Sequence, residues 1–155
     1  MMVQVLYKIF LAVMLALFIG FGISVFYPSP KAPDYPISFE KAEPTAEQKE
    51  AQTQFEAKQK TFQADFAIYN RNISAIVITF SILMLIVSLT LLINVELMGD
   101  GLLFGGLLTL IYGMIRGIMS NDNKFQFIVV TVGLIVVLAL GYIKFIRKGK
   151  TIKNA

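Results

Sequence analysis

The chain alternates between long apolar runs and polar breaks of very unequal length. Apolar residues dominate positions 5–26, 73–93, 102–119 and 125–146, each free of Pro. Each run has or approaches the ~20 helical residues needed to cross a hydrocarbon core. The breaks at 94–100 and 120–124 are short, whereas 27–72 is long and polar. The pattern predicts an all-α fold: a four-transmembrane-helix bundle formed by 1–26 and 73–146, an extramembrane insertion at 27–72, and a basic tail at 147–155. The first run is read as a retained anchor, because Lys8 is its only cation and Tyr27-Pro28-Ser29-Pro30 offers no small-x-small cleavage site.

The third run has two unlike halves. At ~100° per residue, Gly101, Gly105, Gly106, Thr109, Tyr112, Gly113, Arg116, Gly117 and Ser120 share one side. Leu103, Phe104, Leu107, Leu108, Leu110, Ile111, Met114, Ile115 and Ile118 take the other, with Leu102 out of place. Small residues let helices approach closely where lipid removes the hydrophobic drive to associate. The first half is therefore expected to meet protein or water, and the second to meet lipid. Ala12, Ala16, Gly20 and Ser24 form a small-xxx-small series in the first run, and Ser74, Ser81 and Ser88 recur by seven in the second. Packing within one bundle explains all of these; contacts between copies through Gly106, Gly113 and Gly117 are the alternative.

The insertion has its own periodicities. Tyr27, Pro30, Pro33, Pro36 and Phe39 recur by three, the period of polyproline II. Thr45 followed by Gln48 fits a capping box, and the stretch after it is rich in Ala, Glu, Gln and Lys, all good helix formers. Phe55, Phe62 and Tyr69 recur by seven, and Phe66 widens the stripe. A polyproline segment from Tyr27 to Phe39 covers ~37 Å, and a helix from Thr45 to Tyr69 covers ~36 Å. The two lengths suit an extracytoplasmic polyproline-II/α-helix hairpin with the aromatic stripe against the prolines. A Pro-rich spacer plus a helix that packs on another subunit is the competing arrangement. If Asn70-Arg71-Asn72 is helical, the outer helix runs without a break into the second span.

Composition agrees with a membrane protein: 56% apolar and 15% charged residues, with a mean hydropathy of +0.69. There is no Cys and no His, which removes disulfides, thiol chemistry and the commonest general base and metal ligand. No cofactor or metal motif and no catalytic constellation is visible, and the modest net charge of +4 gives no ground for a nucleic-acid partner. Lys144, Arg147, Lys148, Lys150 and Lys153 crowd the C-terminal end without an acid. By the positive-inside rule both termini are then cytoplasmic. Glu96 and Asp100 fall on the same side as Lys144 and Arg147, so ion pairs are expected there, with Asp100 also placed to cap the third helix. Arg116 is the one charge within an apolar run that does not sit at its expected cytoplasmic edge. It is expected either to snorkel or pair with Asp122 or Asp65, or, with Thr109 and Tyr112, to line a polar path.

The segments Phe-Gly-Ile-Ser-Val-Phe-Tyr-Pro-Ser-Pro-Lys-Ala-Pro-Asp-Tyr-Pro, Gly-Asp-Gly-Leu-Leu-Phe-Gly-Gly and Phe-Ile-Val-Val-Thr-Val-Gly-Leu resemble a group of small four-span membrane proteins of candidate-phylum bacteria. The resemblance covers nearly the whole chain. It implies a bacterial cytoplasmic membrane and no catalytic residues. The expected partners are the lipid bilayer and either further copies of the chain or another membrane subunit. The expected role is a non-enzymatic scaffold or accessory subunit that makes contact through Phe55, Phe62, Phe66 and Tyr69. A homo-oligomeric channel lined by the third span is the alternative, with a membrane enzyme a distant third.

Overall fold

The computed structural model describes residues 2–34, 46–91 and 95–143, with only the backbone of Glu96. The described residues form four helices: α1 (Met2–Phe26), α2 (Ala46–Leu91), α3 (Glu96–Ile118) and α4 (Asn123–Gly141). All four are long and apolar enough to cross a membrane. Thr45, Pro36 and Phe39 lie outside the described residues, as do Lys144, Arg147 and the rest of the basic tail; so does the side chain of Glu96.

Local sequence sets several of the helix boundaries. Pro28 disfavours the α conformation at Tyr27, and α1 closes with the Tyr27 N–H on the Ile23 carbonyl at 2.8 Å. α2 contains neither Gly nor Pro over 46 residues, so nothing interrupts it at Asn70-Arg71-Asn72, and it forms a rod of ~69 Å. Between α3 and α4, Asn121 adopts a positive φ of 57°, a conformation that Asn tolerates better than most residues. Asp122 then caps α4, its Oδ1 accepting from the N–H groups of Lys124 (3.0 Å) and Phe125 (3.2 Å).

α3 is the centre of the bundle. Its largest interface is with α2, the next with α1, and α4 packs on it more lightly. Three helices around one leave α3 only a narrow strip for lipid, and this corrects the half-and-half expectation. Leu103 and Leu110 are buried, although the sequence puts them on the lipid side. Leu110 joins Ile78 of α2 and Val129 of α4 in one apolar cluster. Phe104, Leu108, Ile111, Ile115 and Ile118 remain exposed as expected. α1 and α4 present mostly exposed apolar side chains, including Phe10, Phe18, Phe21, Leu134 and Leu138, which suits a surface solvated by acyl chains.

A serine–glycine seam joins α2 to α3. Ser74 donates to the Gly113 carbonyl at 2.7 Å, Ser81 to Gly106 at 2.8 Å and Ser88 to Gly99 at 2.7 Å. As α2 advances by seven, α3 recedes by seven, the signature of an antiparallel pair, and a seven-residue repeat keeps such a seam on facing sides. All three serines are fully buried. The glycines permit the approach: a Cβ on Gly113 would stand 2.9 Å from Ile78 Cγ1, and one on Gly117 would stand 2.8 Å from Ser74 Oγ.

Candidate functional site

Beyond the serine–glycine seam, the charged side chains of the bundle lie towards its two ends. At the end holding the N-terminus of α1, Lys8 Nζ lies 2.7 Å from Asp100 Oδ2. This corrects the expected cap. α3 begins at Glu96, so Asp100 sits in the second turn, where its carboxylate faces α1 rather than the free N–H groups of the helix end. The turn that carries it is tied to α2 through the bond from Ser88 to Gly99.

The opposite end, next to the 27–72 insertion, holds Arg116. Its Nη1 donates to Asn70 Oδ1 at 3.0 Å and its Nε donates to Tyr112 Oη at 3.1 Å. The Asn70 amide is itself oriented, with Nδ2 donating to the Phe66 carbonyl at 2.9 Å, and the residue is completely buried. The guanidinium lies 5.3 Å from the Tyr112 ring centroid and 5.9 Å from that of Tyr69, within the range of cation–π attraction. Tyr27 stacks on Tyr69 at 5.5 Å and accepts a hydrogen bond from Asn72 Nδ2 at 3.0 Å. Neutral oxygens and aromatic faces therefore hold Arg116. No carboxylate lies within ion-pair distance of it among the described residues, which corrects the expected partners: Asp122 caps α4 instead, and Asp65 is exposed on α2.

The remaining sequence candidates divide between the bundle and the insertion. Gly106, Gly113 and Gly117 face Leu85, Ile78 and Ser74 of α2, with Val129 of α4 also beside Gly117. Their close contacts are thus made within the chain, where the alternative put them between copies. Thr109 is buried, and its hydroxyl donates to the Gly105 carbonyl at 2.8 Å, so it does not face an open path. Phe55, Phe62 and Phe66 are half-buried along α2 and Tyr69 is buried. Phe62 stacks on Phe66 at 5.6 Å, and Phe66 on Tyr69 at 6.1 Å. Pro30 and Pro33 line one recess together with Ala57, Thr61 and Phe62, so the prolines begin their course beside the aromatic stripe.

Sequence reasoning did not find the role of Asn70, or that of Gly99 as the third acceptor of the seam. Asn70 carried a signal, being an amide in the register of the aromatic stripe one turn before the second span. Gly99 lies outside the run predicted for the third span. Ser120, one heptad beyond Gly113, is buried with its Oγ lacking a hydrogen-bond partner.

The architecture is that of a multi-pass helical membrane protein. Comparisons with family models, curated proteins and solved structures give no match.

Proposed function

We propose that the protein is a non-enzymatic integral membrane scaffold or accessory subunit of a bacterial cytoplasmic membrane. Both termini would be cytoplasmic, and the 27–72 insertion would project outward to contact a partner or other copies. The observation that carries this reading is the unbroken α2. About 27 of its residues, or ~40 Å, lie before the apolar run that begins at Ile73. The remainder is fixed to α3 by the serine–glycine seam. A rod anchored in this way transmits the position of a bound partner to the bundle, which a flexible tether does not. The hairpin form of the insertion draws support from Pro30 and Pro33 beside Phe62 and from the Tyr27–Tyr69 stack at its base. The contact face would be the part of Phe55, Phe62 and Phe66 that stays exposed beside the prolines, or the polar rim next to them.

The channel alternative needs the small, polar half of α3 to face water. Burial of Thr109 and the glycine contacts with α2 weigh against it. The scaffold reading is tested by gentle detergent extraction followed by particle mass and partner analysis, on the wild type and on Phe55→Ser/Phe62→Ser. The expected result is a stoichiometric complex that the double variant loses while its bundle remains folded. A monodisperse monomer without partners would overturn the proposal. External labelling of Lys150→Cys in intact cells would overturn the orientation.

A further inference from the structure

Two lateral grooves flank the second half of α1, and they differ in one respect. The groove between α1 and α2 encloses about 380 Å³, is lined by residues such as Phe18, Phe26, Ile76 and Phe80, and has no charged side chain in its wall. The groove between α1 and α3 encloses about 480 Å³, with Val13, Gly20 and Ser24 on one wall and Leu108, Tyr112 and Arg116 on the other. Its wall is apolar along most of its length and ends on a guanidinium. Of the five N–H donors of an arginine, the bonds to Asn70 and Tyr112 engage one on Nη1 and the one on Nε. The remaining N–H donors are unassigned, and no carboxylate neutralises the delocalised charge of the group among the described residues.

The geometry points to a specific site for an anionic glycerophospholipid, its phosphate on Arg116 and one acyl chain along the α1–α3 groove. A guanidinium fork matches the phosphate of a glycerophospholipid in shape as well as in sign. Charge complementarity favours a net anionic headgroup, which lacks the ammonium that offsets this phosphate in phosphatidylcholine. The dimensions select a lipid over a free anion. From Val13 to Ser24 the groove wall runs ~16 Å along α1, about half of a ~30 Å hydrocarbon core, and so about the depth of one leaflet. Arg116 lies where the headgroups of that leaflet would be, about one turn from the end of α3. Tyr69, Asn70 and Tyr112 hold the guanidinium in place before any ligand arrives, which lowers the ordering cost of binding. The neighbouring groove, of similar size but without a charge, should hold chains without regard to headgroup.

The two grooves supply the control. Gly20 lines the charged one and Gly22 the uncharged one, and a side chain added at either would begin in open space, with nothing within 4 Å of its Cβ. The test is native mass spectrometry of delipidated full-length protein titrated with phosphatidylglycerol, phosphatidylcholine or inorganic phosphate. Wild type should prefer phosphatidylglycerol over phosphatidylcholine by roughly ten-fold, because the choline cation of the latter repels the guanidinium that both phosphates approach, and should retain no inorganic phosphate. Gly20→Phe should lose this binding and Gly22→Phe should keep it. Arg116→Gln should bind the two lipids alike, with a melting curve to show that the bundle remains folded. Should Arg116→Gln fail to fold, Gly20→Phe still decides, because it leaves the Arg116 hydrogen bonds untouched. Equal binding of the two lipids by wild type, equal losses in both glycine variants, or retention of inorganic phosphate alone would each overturn the proposal.

Discussion

The α2–α3 seam and the second half of α1 are built from the same small residues and put them to opposite use. In the seam, a Cβ on Gly106, Gly113 or Gly117 would stand less than 3 Å from a neighbouring side-chain atom. In α1, only the first part of the Ala12, Ala16, Gly20, Ser24 series meets another helix: Ala12 is buried, and its Cα lies 3.4 Å from where a Gly105 Cβ would be. Gly20 has nothing within 4 Å of the corresponding point. A small-residue stripe therefore permits close approach but does not cause it. The seam also supplies donors: three buried hydroxyls on one helix find three carbonyls on the other. The second half of α1 offers only Ser24, whose hydroxyl turns back to the Phe21 carbonyl of its own helix. Where the partner brings nothing to fill the space, the stripe lines a groove.

The strongest way to break this contrast is Gly113→Leu. The new Cβ would meet Ile78 Cγ1 at 2.9 Å and Val77 Cγ1 at 3.0 Å, with the Ile78 backbone nitrogen behind them at 3.3 Å. Both neighbours are β-branched and stiff at χ1, so the helices must separate. Separation would also lengthen the bond from Ser74 to the Gly113 carbonyl. Overpacking of this kind costs ~1–3 kcal/mol and occasionally more, and the full Leu side chain should put the variant at the upper end. The expected readout is a large loss of thermal stability in detergent, with little folded protein recovered. Wild-type melting behaviour would show that α2 and α3 are not in contact at this level.

Replacing Ser74, Ser81 and Ser88 together with Ala should have an intermediate effect. Each change removes a donor but leaves the acceptor satisfied, because the glycine carbonyls keep their bonds within α3. Interhelical hydrogen bonds in bilayers average ~0.6 kcal/mol, so the triple variant should lose ~2 kcal/mol in an SDS-unfolding titration and remain folded without SDS. The single variants should contribute about equally, since the three bonds lie within 2.7–2.8 Å and all three serines are fully buried. A loss confined to one serine would mean that the seam is not a uniform zipper.

The comparison also shows how much of the molecule was legible in the sequence. Hydropathy and length located the four spans, since a bilayer leaves the backbone few alternatives to a helix. The absence of Gly and Pro between Ala46 and Leu91 made the continuous α2 readable as a conditional expectation. The serine and glycine repeats were both visible, but their mutual register was not, because it depends on the loop between α2 and α3. α3 starts earlier than the apolar run suggests, at Glu96, which brings Gly99 into the helix as the third acceptor. The burial of Leu103 and Leu110 was equally out of reach. The polarity of one helix distinguishes two of its faces, but it does not count the neighbours that enclose it. For Arg116 the sequence pointed to carboxylates by charge alone. The fold instead brings it to Asn70, 46 positions away, and to the rings of Tyr69 and Tyr112.

The smallest effect is predicted for Gly20→Ala. In a water-soluble helix, replacing an interior glycine by alanine gains ~0.5–1 kcal/mol of backbone entropy. In a bilayer the separated helix is itself helical, because an unpaired backbone has no water to turn to, so most of that gain is present in the reference state as well. With nothing within 4 Å of the new methyl group, no steric cost opposes the remainder. The melting temperature should therefore stay the same or rise by a degree or two, equivalent to less than ~0.5 kcal/mol. The same substitution at Gly22, on the uncharged groove, should match it. A clear destabilisation at Gly20 alone would mean that another helix closes over that groove, and the second half of α1 would then resemble the seam after all.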